Sequence, residues 1–188
     1  MKDTTNISRK VNVEIVHKDA NGNTKKLWNE FSWVHILREK FGLGEFARVP
    51  FATGFWGNSL QFHNLVTNAG FALVAGRING SGTPAAATFI AVGTGTTDAN
   101  VADTTLETEL AASGLSRAAG TVSLETTTVT DDTARVTKTF SVTGTVAVTE
   151  AGLLNAASAG SLLARRVFAE VNVVNTDSLA VTWDVSVS

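Results

Sequence analysis

The chain has no cysteine, which excludes a disulfide framework and a thiolate metal site and leaves packing alone to hold the fold. Charge is scarce as well: charged residues make up 17% of the 188, below the roughly 25% of an average soluble domain, and a surface so thinly charged suits coverage by partners. The formal net charge of −2 offers no clustered basic field, so neither a nucleic acid nor a membrane is expected as a partner. No run approaches the roughly 18 apolar residues of a membrane span, and Met1–Asn6 lacks a charged-then-apolar signal pattern. A soluble protein made in the cytoplasm is therefore expected, and the glycosylation tripeptides Asn6-Ile7-Ser8 and Asn79-Gly80-Ser81 carry no meaning without secretion.

Apolar material, by contrast, is plentiful. Hydrophobic residues make up 44% of the chain, enough for one ordinary domain with a sizeable core and an added arm. The sequence changes character near Leu65: most of the Lys, all three His, three of the four Trp and most of the Phe precede it, and Thr, Ala, Val, Gly and Ser dominate after it. Two units are expected, 1–64 as an N-terminal hairpin, short helix and aromatic docking arm, and 65–188 as a β-sandwich.

In the first unit Val11, Val13 and Ile15 alternate with polar residues, and Asp19-Ala20-Asn21-Gly22-Asn23 supplies a turn before Leu27 and Trp28, which reads as a β-hairpin. Ser32 is placed to cap a short helix with Trp33, Ile36, Leu37 and Phe41 on one face, ended by Gly42. Phe46 to Phe62 reads as extended, with Pro50 blocking helix. In the second unit Thr67 or Asn68 caps a helix that would carry Phe71, Val74, Ala75 and Ile78 toward a core and stop at Asn79-Gly80-Ser81-Gly82.

From Thr88 the period is two. Val122 and Leu124, then Ala134, Val136, Phe140 and Val142, then Leu179, Val181, Trp183, Val185 and Val187 each describe a strand with a dry and a wet face. Thr130-Asp131-Asp132, Ala159-Gly160 and Asn175-Thr176-Asp177 supply the turns between runs. The fold class is thus mainly β, an antiparallel β-sandwich with one or two short helices and an extended N-terminal arm. Lys138, on an otherwise apolar face, reads as a guard against edge-to-edge pairing.

The chemical motifs are weak. Gly93-Thr94-Gly95-Thr96-Thr97 lacks the Gly-Lys-Ser/Thr ending of a phosphate loop and reads as a sharp loop after a strand. His17, His35 and His63 are not spaced as metal ligands, and no Gly-x-Ser-x-Gly elbow supports a hydrolase. Glu107 with Glu109, on the outer face of a strand, and Asp131 with Asp132, in a turn, read as solvated or capping carboxylates rather than a glycosidase pair. No catalytic, metal-binding or cofactor-binding residue is assigned, and no enzyme is expected. The residues singled out are Trp28, Trp33, Phe51, Phe55, Trp56 and Phe62, read either as a local core or as protein-interface anchors.

Val66-Thr67-Asn68-Ala69-Gly70, Phe89-Ile90-Ala91-Val92-Gly93-Thr94-Gly95-Thr96-Thr97, Asp103-Thr104-Thr105-Leu106-Glu107-Thr108-Glu109-Leu110 and Val148-Thr149-Glu150-Ala151-Gly152-Leu153-Leu154 follow in an order that resembles the N-terminal module of phage tail-collar fibre proteins, in which a strand leads into a Glu-x-Gly-Leu turn. Leu162-Leu163-Ala164-Arg165-Arg166-Val167-Phe168 follows as in that family. The resemblance covers Asn64 to Ser188 and leaves the aromatic arm outside it. It implies a structural protein of a tailed-bacteriophage virion, assembled in the host cytoplasm, with other tail or capsid proteins as partners and a homo-oligomer, trimeric if fibre-like. A fibre would continue into a shaft and tip, so a short tail-fibre, collar or baseplate connector is expected here. A capsid decoration protein and a carbohydrate-binding adhesin module are the competing readings.

Overall fold

A computed structural model describes residues 9–30, 54–82 and 84–187. The protein is mainly β, with antiparallel sheets in a sandwich-like arrangement. The strands are β1 (Arg9–Lys18), β2 (Leu27–Glu30), β3 (Gly54–Gly57), β4 (Leu60–His63) and β5 (Leu65–Val66), then helix α1 (Asn68–Asn79). After it come β6 (Phe89–Gly93), β7 (Ala118–Ala119), β8 (Thr121–Glu125), β9 (Thr133–Ser141), β10 (Val146–Leu154), β11 (Leu162–Val173) and β12 (Ser178–Val187).

One sheet runs β4-β1-β12-β9-β8, the other β5-β11-β10-β6-β7, and β2 and β3 form a separate two-stranded ribbon. β1 faces β11 and β9 faces β6 across the sandwich. Their inward side chains, including Val13, Ile15, Ile90, Val92, Val148, Leu153, Phe140, Phe168, Leu179, Val181 and Trp183, form one buried cluster. Branched and aromatic side chains at every second position are what a pleated, half-buried surface selects. Among the described residues no helix is long and apolar enough to cross a membrane.

Several expectations are redrawn by this topology. The composition boundary at 64/65 is not a boundary of the sheet, because β1 and β4, from before it, hydrogen-bond with each other and β1 pairs along its length with β12. The turn after β1 forms, with Gly22 at φ 81° and the Asp19 carboxylate accepting from the Asn21 and Asn23 amides. The hairpin ends there: only a Lys18–Thr24 bridge follows, and β2 leaves to pair with β3. The helix expected over Ser32–Phe41 lies outside the described residues.

α1 starts at Thr67, whose hydroxyl accepts from the Gly70 amide and donates to the Leu162 carbonyl. Its packed face is the expected one only at Val74, which packs against the core. Gly70 and Leu73 are buried, whereas Phe71 and Ile78 are exposed. The cause is Gly70, where a Cβ would overlap the Leu163 carbonyl: the helix lies so close to β11 that the glycine side faces inward. All three anticipated turns are found, with left-handed backbone at Asp131, at Ala159 and Gly160, and at Thr176. Lys138 begins the stretch of β9 that β8 leaves uncovered, since β8 pairs only with Thr133–Thr137.

Candidate functional site

Residues from four of the quoted sequence segments, Gly95, Glu107, Glu150 and Arg165 among them, meet in one place, and what they build is a latch. Thr149 interrupts the pairing of β10 with β11, and the following Glu150 is fully buried. One carboxylate oxygen accepts from the Gly95 amide at 3.0 Å and the Thr108 amide at 2.8 Å; the other accepts from the Glu107 amide at 3.1 Å and from Arg165 Nε at 2.8 Å. Arg165, buried on β11, also donates to Asp103 at 2.8 Å and to the Thr97 carbonyl at 3.1 Å. Burial opposes the Arg165 charge, but Asp103 and Glu150 more than offset it and hold the guanidinium above its ordinary value.

This explains the glycine-rich loop. Backbone amides of 95, 107 and 108 do cradle an anion, as a phosphate loop would, and the anion is the protein's own Glu150. A Cβ on Gly95 would stand 2.6 Å from that carboxylate, so glycine is required by close approach. Glu150 to Leu154 is strand, not the anticipated turn. Nor do Glu107 and Glu109 lie on a regular strand: Glu107 accepts from the amide and hydroxyl of Thr97, which lower its pKa, and Glu109 pairs with Arg117.

A second buried polar group closes the β11–β12 turn. Asp177 accepts from the Val174 amide at 3.0 Å and from Lys25 Nζ at 2.9 Å, and its Oδ2 lies 2.7 Å from His17 Nε2. Burial pushes the carboxyl up, yet the Val174 amide, Lys25 and His17 together bring it from 3.8 down to about 2. A depressed native pKa contributes stability above the ordinary value that is lost as pH falls through the native one. Unfolding free energy is therefore expected to decline between about pH 4 and pH 2, and the decline to be shallower in Asp177→Asn, read by urea titration at stepped pH. Equal slopes in the two proteins would rule out this arrangement. Asp132 works likewise in the β8–β9 turn: the amides of Val129, Thr127 and Thr128 bond its carboxylate and lower its pKa.

Lys25 and His17 also line an open cleft of about 370 Å³ between the β2–β3 ribbon and β11, with Lys26, Trp28, Trp56, Glu170 and Asn172 on its walls. The six aromatics singled out from sequence divide accordingly. Trp28 and Trp56 are cross-strand neighbours whose rings meet edge to face at 5.5 Å; Trp56 is 59% exposed and Phe55, on the ribbon's other face, 53%. Phe62 instead packs against the core, stacked on Phe168 at 6.2 Å with the Arg166 guanidinium 4.6 Å from its ring centre. Trp33 and Phe51 lie outside the described residues, as does His35.

The apolar surface that sequence reading missed lies elsewhere. Val13, Trp183, Val136 and Val122 are successive cross-strand partners and therefore share the inward face. Their exposures are 1%, 0%, 5% and 58%. The parallel row Val11, Val185, Ala134, Leu124 also opens outward, from 3% at Val11 to 61% at Leu124. The dry face expected for β8 exists, but the facing sheet ends in the two-residue β7 and does not cover it. Among the described residues no strand pairs with the outer edge of β8.

Compared with protein-family models, with curated proteins and with solved structures, the chain matches none.

Proposed function

We propose that this chain is a non-enzymatic structural component of a tailed-bacteriophage virion, a tail-fibre, collar or baseplate-type connector that assembles with other virion proteins, and with its own copies, by protein packing. One observation supports it above the rest: the inward apolar rows of the β4-β1-β12-β9-β8 sheet continue onto β8, where Val122 and Leu124 are exposed beside a strand edge that no strand among the described residues pairs. Such an edge offers main-chain hydrogen bonds and apolar side chains together, the combination used in strand addition. Phe55 adds a second exposed aromatic anchor. The ordered resemblance to tail-collar modules in the sequence adds to this reading, and in the fold its Gly95 and Arg165 both hydrogen-bond to its Glu150.

The test is quantitative mass spectrometry of purified particles separated into heads and tails, for the native chain and for the double variant Val122→Glu, Leu124→Glu. A few to a few dozen native copies travelling with tails, and loss of the double variant from particles while its thermal unfolding is unchanged, is the expected result. Hundreds of copies on heads would replace the connector by a capsid decoration protein, and absence from both would overturn the structural role.

A further inference from the structure

The cleft at the ribbon has a different chemistry from the β8 edge. Its apolar part comprises Trp28 and Trp56 with Leu27 and Ala169, and Trp56 is largely open to solvent. Around them stand Lys25, Lys26, Glu170 and Asn172, groups that donate and accept hydrogen bonds in several directions. The floor is fixed, because Lys25 is tied to the buried Asp177 at 2.9 Å. Lys26 is held by Asn58 at 2.7 Å, and Glu170 by Asn172 at 3.2 Å. Counting Asp177, which lies behind the lining and holds Lys25, the two lysines and two carboxylates at the cleft balance in charge.

Aromatic plates for the C–H faces of a ring, a rim of mixed donors and acceptors for hydroxyls, and no net field fit an uncharged, polyhydroxylated ligand. A protein segment would call for a broader apolar floor, and here the aliphatic lining is limited to Leu27, itself buried, and the small side chain of Ala169. A volume of about 370 Å³ lies at the small end of ligand sites, which run from about 300 to 1,000 Å³. We infer that this cleft is a binding site for a neutral oligosaccharide, with Trp56 as the stacking platform and Lys26, Glu170 and Asn172 as hydroxyl partners. The site is independent of the β8 surface, so either can fail without the other.

The experiment is retention of the intact chain on immobilised manno-, galacto- and chito-oligosaccharides, followed by titration of the retained sugar against intrinsic tryptophan fluorescence. At least one neutral series is expected to bind, Trp56→Ala to weaken it by roughly tenfold or more, and Glu170→Gln to weaken it by less. Because Trp56 is mostly exposed, the thermal midpoint of Trp56→Ala should stay near that of the native chain, which separates loss of binding from loss of fold. Should the variant unfold, Asn172→Ala carries the same comparison. Retention of acidic sugars only, no retention of any series at millimolar sugar, or equal binding by native and variant chains would overturn the assignment. Loss of Trp56→Ala from particles without any sugar binding would overturn it in favour of a protein contact.

Discussion

Glu150→Ala is expected to destabilise the protein by about 3–5 kcal/mol, the usual cost of removing one partner from a buried charge pair. The side chain is fully buried and its carboxylate accepts from three backbone amides and one guanidinium. Its loss leaves those amides without an acceptor inside the protein and leaves Arg165, still buried, to Asp103, Glu107 and the Thr97 carbonyl alone. Against a total stability of about 5–15 kcal/mol, that is enough to unfold a marginal domain at growth temperature. The pair Glu150→Ala and Arg165→Ala, measured with the double variant by urea unfolding, should be strongly non-additive, because each single change strands the other partner. Additive losses below about 1 kcal/mol each would mean that the pair does not hold the 94–109 loop.

Trp183→Ala should be of similar size, about 3–5 kcal/mol. Trp183 is the largest of the fully buried side chains and sits mid-row between Val13 and Val136. Trp183→Phe should lose much less, under about 2 kcal/mol, the scale of a volume-reducing change that keeps an aromatic ring. Its indole Nε1 finds no hydrogen-bond acceptor among the described residues, so Phe gives up volume but also removes a buried donor whose desolvation costs about 1–3 kcal/mol. The two variants, compared by thermal and chemical unfolding, therefore separate packing from polarity at one position. A Phe variant as unstable as the Ala variant would show that indole shape, and not burial, is what the core requires.

The local signals in the sequence were those that depend on one strand or one turn at a time. The alternation of Leu179, Val181 and Trp183, the cap at Thr67 and the turns at Asp131, Gly160 and Thr176 could be read because each is set by neighbours a few residues away. What escaped depends on partners far along the chain. Nothing in Val11, Val13 and Ile15 tells that their strand joins β12 across the fold, and nothing in Val122 and Leu124 separates a covered dry face from an open one, since cover is decided by the length of β7. Apolar side chains usually face inward, which points Phe71 and Ile78 to the core, whereas the close approach of the helix is made at Gly70 through the absence of a side chain. The latch shows in the sequence only as an order of residues, Gly95, Glu107, Glu150 and Arg165, and their meeting point depends on the bulge after Val148.

β1 sits between β4 and β12, with Arg9 opposite Val187. During synthesis its first neighbour, β4, emerges early, but the second is among the last segments of the described chain to leave the ribosome. At about 5–20 residues per second, the wait over these strands is on the order of 10 to 35 s. For that interval Val11, Val13 and Ile15 stand on an incomplete sheet, a state open to mispairing with another nascent chain. Yield of this protein in the cell should therefore depend on translation speed and chaperone supply more than on the stability of the finished fold.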